Sequence, residues 1–134
     1  MTLRADRVSA EPILTGLRIG VVLAVSVVVL AVVGLTPWFS WVPEVPLLLT
    51  ATLIPLIGFA FAGYRSASAS HRVLDGMIAG AVAGLLSGAI GGLSYVLFGK
   101  PLLNVIVGPV IGAIGGAFVG AIAGFLALRR NGAS

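Results

Sequence analysis

Chemistry in a protein needs side chains that can hold a proton, a metal or a nucleophilic electron pair, and this sequence has few of them. His71 is the single histidine, and there is no cysteine, so neither a thiolate metal site nor a disulfide can form. His71 stands in the polar string Arg65-Ser66-Ala67-Ser68-Ala69-Ser70-His71-Arg72, and it lacks the partners that a metal site or a nucleophilic triad requires. Asp75 opens an apolar run, where a carboxylate suits the free N–H groups of a helix start, and Asn104 is placed to do the same if the last helix begins late. The glycines form no G-x-G-x-x-G and follow no strand, so no phosphate-binding loop is indicated. Arg129-Arg130 is too short for a lipid-specific polybasic patch. No catalytic constellation can be assembled, and the expectation is a protein that is not an enzyme and holds no metal or cofactor.

The elements around these few groups are unusual in composition. Of 134 residues, 59% are hydrophobic and only 9% are charged, against about 25% charged in an ordinary soluble domain. Too little polar surface exists to cover a globule in water, and a lipid bilayer is the expected solvent. The net charge of +4 is no nucleic-acid signature, because the basic residues are scattered at the ends of apolar runs.

Four apolar runs are expected to cross the bilayer, from Leu14 to Thr36, Pro46 to Tyr64, Asp75 to Phe98 and Leu102 to Leu128. Each is near the roughly 20 residues that span about 30 Å of hydrocarbon. The first is longer than a signal peptide's apolar segment and no clear cleavage site follows it, so it reads as a retained span. The segment from Pro37 to Glu44 carries helix-ending prolines, the string Arg65 to Arg72 reads as a polar loop, and Gly99-Lys100-Pro101 reads as a tight turn. The predicted fold is an all-α, four-helix membrane bundle of up-down topology forming a single domain.

Arg4, Arg7, Arg18, Arg65, Arg72, Arg129 and Arg130 fall on one side of such a bundle and only Lys100 on the other. Positive charge marks the cytoplasmic side, so both termini are expected there, in a multi-pass protein of the cytoplasmic membrane. Arg18 falls just inside the first run and is expected to snorkel to the interface. Trp38, Trp41, Tyr64 and Tyr95, with Arg129 and Arg130, are the other expected interfacial anchors.

The third and fourth runs carry glycine at every fourth position: Gly76, Gly80, Gly84, Gly88 and Gly92, then Gly108, Gly112, Gly116, Gly120 and Gly124. Glycine costs about 1 kcal/mol relative to alanine in a helix in water, so so regular a repeat has a purpose. Apolar tails give helices no hydrophobic drive to associate. Small residues let backbones approach and gain dispersion and Cα–H···O contacts instead. These ten glycines are the expected helix-packing residues, a glycine zipper between helices 3 and 4. Reflection about Lys100 would set Gly84 level with Gly116 and Gly88 level with Gly112, and these pairs are expected to be tightest. Four residues turn a helix about 400°, so the line drifts and its outer glycines are expected to face something else. Runs one and two show the pattern weakly, as Gly16, Gly20 and Ala24, and as Gly58 and Ala62, while Pro55 should kink the second helix or free a carbonyl.

Two comparisons come from motifs. The size and helix count resemble small multidrug exporters, but those depend on a glutamate inside the first span, and none lies between Leu14 and Thr36. The stretch Pro55-x-x-Gly58-x-x-x-Ala62-Gly63-Tyr64, with Asp75-Gly76-x-x-x-Gly80-x-x-Ala83-Gly84, resembles small four-helix prokaryotic membrane proteins of unknown function, notably haloarchaeal ones. Haloarchaeal proteins are acid-rich, and this chain departs from them with only four acids. The resemblance implies the fold and no activity. The functional expectation is a packing or accessory subunit in the lipid bilayer, self-associating as a homo-oligomer or docking on a larger membrane complex, with no nucleic-acid partner. The alternative is an oligomeric channel or passive transporter with a glycine-lined pore, whose backbone carbonyls supply the polar path.

Overall fold

A computed structural model describes residues 2–132, with side chains from residue 10 onward. It is all-helical: α1 (Thr2–Leu35), a short 3-10 turn (Pro37–Phe39), α2 (Glu44–Ser70), α3 (Val73–Leu97) and α4 (Asn104–Asn131). All four helices contain stretches long and apolar enough to cross a membrane: Ala10–Leu35, Glu44–Ser70, Val73–Leu97 and Asn104–Asn131. With 34 residues, α1 is about 51 Å long, so its first turns extend well past a 30 Å hydrocarbon layer.

The size sorting of side chains is the reverse of a soluble core. Among the described residues the buried apolar ones are mostly alanine (Ala24, Ala31, Ala62, Ala67, Ala79, Ala83, Ala123, Ala127), and no large side chain is completely buried. Ile106, Ile111, Ile114 and Phe118 point outward, each about two-thirds exposed (65%, 64%, 66% and 69%). Water would penalise that arrangement at about 25 cal/mol per Å² of apolar surface, and hydrocarbon does not. Four helices long and apolar enough to cross a membrane, with large apolar residues facing outward, suit a multi-pass membrane protein.

α3 is the hub. It packs on α1, α2 and α4, and α2 packs on the other three, while among the described residues α1 and α4 do not touch. Leu23 and Phe59 bring large side chains into the buried cluster, beside Ala62, Ala79 and Ala83, and the partly buried Ile19, Ile54 and Val119 pack against it. Gly58 makes the room for Leu23, since a methyl there would lie 2.6 Å from a Leu23 methyl carbon.

Three local expectations are corrected. The string Arg65 to Ser70 is the last part of α2 rather than a loop, and only His71 and Arg72 connect α2 to α3. Its small residues are what allow this: Ser66 and Ala67 are buried, and the Ser70 hydroxyl donates to the Ser66 carbonyl at 3.0 Å. Asp75 does not cap α3. The helix begins two residues earlier, so Asp75 sits in the first turn, buried, with Oδ2 unpartnered. Asn104 does not cap α4 either. It is the first helical residue, and its side-chain amide donates back to the Pro101 carbonyl at 2.9 Å.

The turn after α3 is resolved in detail by its hydrogen bonds. Gly99 takes φ +82°, its N–H donates to Val96 at 3.0 Å, and the Lys100 N–H donates to Tyr95 at 3.0 Å. That pair of bonds around a left-handed residue is the Schellman ending, which satisfies two orphan carbonyls at the helix terminus. The α2–α3 turn uses His71 in the same left-handed region, at φ 56°.

Candidate functional site, a glycine seam and the cleft beside it

α3 carries two small-residue stripes one position apart: Ala79-Gly80, Ala83-Gly84, Ser87-Gly88 and Gly91-Gly92. The second member of each pair faces α4. A methyl built on Gly80, Gly84 or Gly88 would collide with the carbonyl of Gly116, Gly112 or Gly108 respectively, and the converse holds from the α4 side. Each replaced Cα–H therefore points at a carbonyl oxygen across the helix pair, the geometry of a weak Cα–H···O bond. The first member of each pair faces α1. A methyl on Gly16 would lie 2.6 Å from the Ala79 carbonyl, one on Gly20 3.1 Å from the Ala83 Cα, and one on Gly91 2.9 Å from Val27 Cγ1.

The α1-facing stripe is the feature that reasoning from the glycines alone passes over. Its signal is in the sequence, as a doublet of small residues every fourth position. Gly63 on α2 is likewise a contact that lies outside the two glycine series. A methyl there would meet the backbone of Gly120, and Gly76 approaches the Gly63 carbonyl, so α2, α3 and α4 converge at these three glycines.

The vertical register differs from the expected level pairing. Gly112 lies between Gly84 and Gly88, closest to the Gly84 carbonyl, and a methyl on it would be 3.2 Å from the Gly88 Cα. Gly116 lies in the same way between Gly80 and Gly84. The pairs Gly84/Gly116 and Gly88/Gly112 are thus the second contacts, and Gly84/Gly112, Gly80/Gly116 and Gly88/Gly108 are the closest. Level glycines would set Cα against Cα. A stagger of roughly half a repeat sets each Cα–H over a carbonyl of the facing turn, which gains an attractive contact.

The outer glycines are also placed differently from expectation. Gly92 stays on α4, against the Asn104 carbonyl, and Gly76 is shared between Gly120 and Gly63. Only Gly124 turns mainly to α2, where a methyl would lie 3.0 Å from the Ala67 Cβ. The α3 glycines of the series from Gly76 to Gly92 thus stay against α4 along the length of the seam.

Beside this seam lies an open cleft of about 480 Å³. α2 covers α4 where Gly63 meets Gly120, but nearer the start of α2, Ala51, Pro55 and Phe59 stand across a gap from Val107, Ile111 and Gly115. Pro55 has no N–H to give the Ala51 carbonyl, yet α2 continues through it, and both residues line the gap. The floor is Ser87, Gly88, Gly91, Gly92, Gly108 and Gly112, and Tyr95 and Asn104 also line it. A methyl on Gly115 would meet nothing within 4 Å.

Several hydroxyls inside the apolar segments are spent on their own helices, whereas the buried Ser68 hydroxyl on α2 has no hydrogen-bond partner. Ser26 donates to Val22 at 3.0 Å, Thr50 to Pro46 at 2.8 Å, Thr52 to Leu48 at 2.9 Å, Ser94 to Ile90 at 2.8 Å and Ser87 to Gly84 at 3.3 Å. Among the described residues no group of three or more His, Asp or Glu side chains gathers where a metal could bind. Of the expected anchors, Trp38 and Trp41 are exposed between α1 and α2, Arg129 and Arg130 lie in the last turn of α4, and Tyr64 lies on α2 beside Arg65. Tyr95 also borders the cleft, and Arg18 lines a separate cavity with Arg65.

Comparison with known proteins returned no matching family, no curated relative and no similar solved structure. The class therefore rests on the helices themselves: an all-α protein with four helices long and apolar enough to cross a membrane.

Proposed function

We propose that this chain is a packing or accessory subunit of the cytoplasmic membrane, an up-down bundle whose glycine-zipper hairpin, α3 with α4, offers its uncovered part to another helix. The observation that carries this reading is the cleft. Most of the glycine surface is consumed inside the chain, but Gly88, Gly91, Gly108, Gly112 and Gly115 border a gap that α2 leaves open. Bare backbone in lipid favours close approach by a second backbone, because little else there rewards it. The partner is a transmembrane helix, of a second copy or of a larger complex. The distribution of basic residues supports both termini on the cytoplasmic side.

An oligomeric channel is the weaker reading. Its polar path would have to come from backbone carbonyls, such as that of Ala51 beside Pro55 in the cleft, because each donating hydroxyl named above has already given its proton within its own helix.

The test is native mass spectrometry of the full chain in mild detergent, comparing wild type with Gly115→Leu. The side chain at 115 has open space in the isolated chain, so the variant should keep its fold while filling the cleft. Loss of a homo-oligomer or of a co-purifying membrane subunit supports the reading. An unchanged assembly, or a wild type that is monomeric and alone, refutes it. Ion or solute leak from liposomes carrying the wild type would favour the channel.

A further inference from the structure

At the opposite end of α2 from the cleft's mouth, α1 and α2 enclose a different cavity of about 320 Å³, lined by Glu11, Leu14, Thr15, Arg18, Ile19 and Arg65. It concentrates two of the chain's eight basic residues, from two different helices, in one small space. Its depth is set by helix length. Arg18 lies 17 residues from the end of α1 at Leu35, and Arg65 lies 21 residues from the start of α2 at Glu44. At 1.5 Å per residue these are about 26 Å and about 32 Å, so a 30 Å hydrocarbon layer places both guanidinium groups at one headgroup level.

We propose that the α1–α2 cavity binds a phosphate group at the membrane surface, held by the guanidinium groups of Arg18 and Arg65 with the Thr15 hydroxyl. Arginine offers planar, forked donors that match phosphate oxygens, and Thr15 adds a single donor. Glu11 lines the same cavity and acts against an anion, so it tempers the site. Leu14 and Ile19 give the cavity an apolar side, as an amphiphile whose phosphate sits above its acyl chains would need. The phosphate belongs either to an anionic phospholipid or to a soluble phosphate from the adjoining water. The site rests on the chain spanning a membrane and is independent of any partner in the α2–α4 cleft.

The full chain in mild detergent is incubated with dioleoyl phosphatidylglycerol or dioleoyl phosphatidylcholine, and bound lipid is counted by native mass spectrometry. Phosphatidylglycerol should be retained preferentially, and Arg18→Gln and Arg65→Gln should each weaken that retention about tenfold, the scale of one charge-assisted hydrogen bond. Glu11→Gln should strengthen it, and Arg129→Gln with Arg130→Gln should leave it unchanged. Arg18→Lys with Arg65→Lys keeps the charge and guards against a misfolded variant, and it should weaken retention by less. Excess inorganic phosphate that strips the lipid assigns the site to soluble phosphate, and lipid that resists it assigns the site to the headgroup. Equal retention of the two lipids, or phosphatidylglycerol held undiminished by the double glutamine variant, overturns the proposal.

Discussion

Gly84 and Gly112 meet through backbone alone: a methyl built on either would strike the carbonyl oxygen of the other. The contact is reciprocal, lies midway along the α3–α4 seam, and shares its acceptor with Ser87, whose hydroxyl donates to the Gly84 carbonyl at 3.3 Å. Neither helix can take a Cβ here without separating from the other.

The first expected outcome concerns that pair. Gly84→Ala or Gly112→Ala gains up to about 1 kcal/mol of helix propensity, but it forces the helices apart at an overpacking cost of about 1–3 kcal/mol. Net loss of stability is expected for either variant, and a larger loss for leucine. Thermal unfolding in detergent followed by circular dichroism checks it; an alanine variant that melts at or above wild type would contradict the seam.

Gly115 is the matched opposite. It lies on the same helix, one residue from Gly116, with nothing near its missing side chain. Gly115→Ala should stabilise the isolated chain by about 1 kcal/mol, because only the propensity term remains. The same melting measurement reads it, and the sign difference between positions 112 and 115 is the informative quantity.

The α1–α3 contact can be probed chemically, since the chain has no cysteine of its own. A methyl on Gly91 would lie 2.9 Å from Val27 Cγ1, which is where a cysteine sulfur would sit. Val27→Cys with Gly91→Cys should form a disulfide on mild oxidation. Val22→Cys with Gly91→Cys should not, because Val22 is 63% exposed and more than a helical turn away along α1. Mobility shifts on non-reducing gels after protease cleavage between α1 and α3 distinguish the two.

The two turns carry left-handed residues of different kinds. His71 holds φ 56° with a side chain that resists it, and Gly99 holds φ +82° without cost. His71→Gly is expected to stabilise the chain by up to about 1 kcal/mol, and Gly99→Ala to destabilise it by about the same amount. Unfolding by a denaturing detergent, titrated against a mild one, measures both.

Much of this architecture is legible in the residues. The four apolar helices follow from run length and from breaks read at Pro37 to Glu44, at Arg65 to Arg72 and at Gly99 to Pro101, of which the second narrows to His71 and Arg72 in the structure. Periodicity identifies the α4-facing stripe of α3, and the α1-facing stripe has the same period once alanine and serine are counted with glycine, as Ala79, Ala83, Ser87 and Gly91. The helical state of Arg65 to Ser70 is not legible locally. Serine and alanine suit a loop or a helix alike, and burial of Ser66 and Ala67 decided between them.

The sequence by itself determined that these helices are apolar, how many there are and which faces carry glycine, because residue type, run length and a 3.6-residue turn set those directly. Only the tertiary structure decided how the bare faces interlock: the half-step stagger of Gly112 between Gly84 and Gly88, the convergence of Gly63, Gly76 and Gly120, and the gap left around Pro55. A repeat specifies an angle around a helix axis and leaves the sliding position along it open. That position is set by where carbonyl oxygens of one helix find Cα–H groups of the next, which is a property of the packed pair.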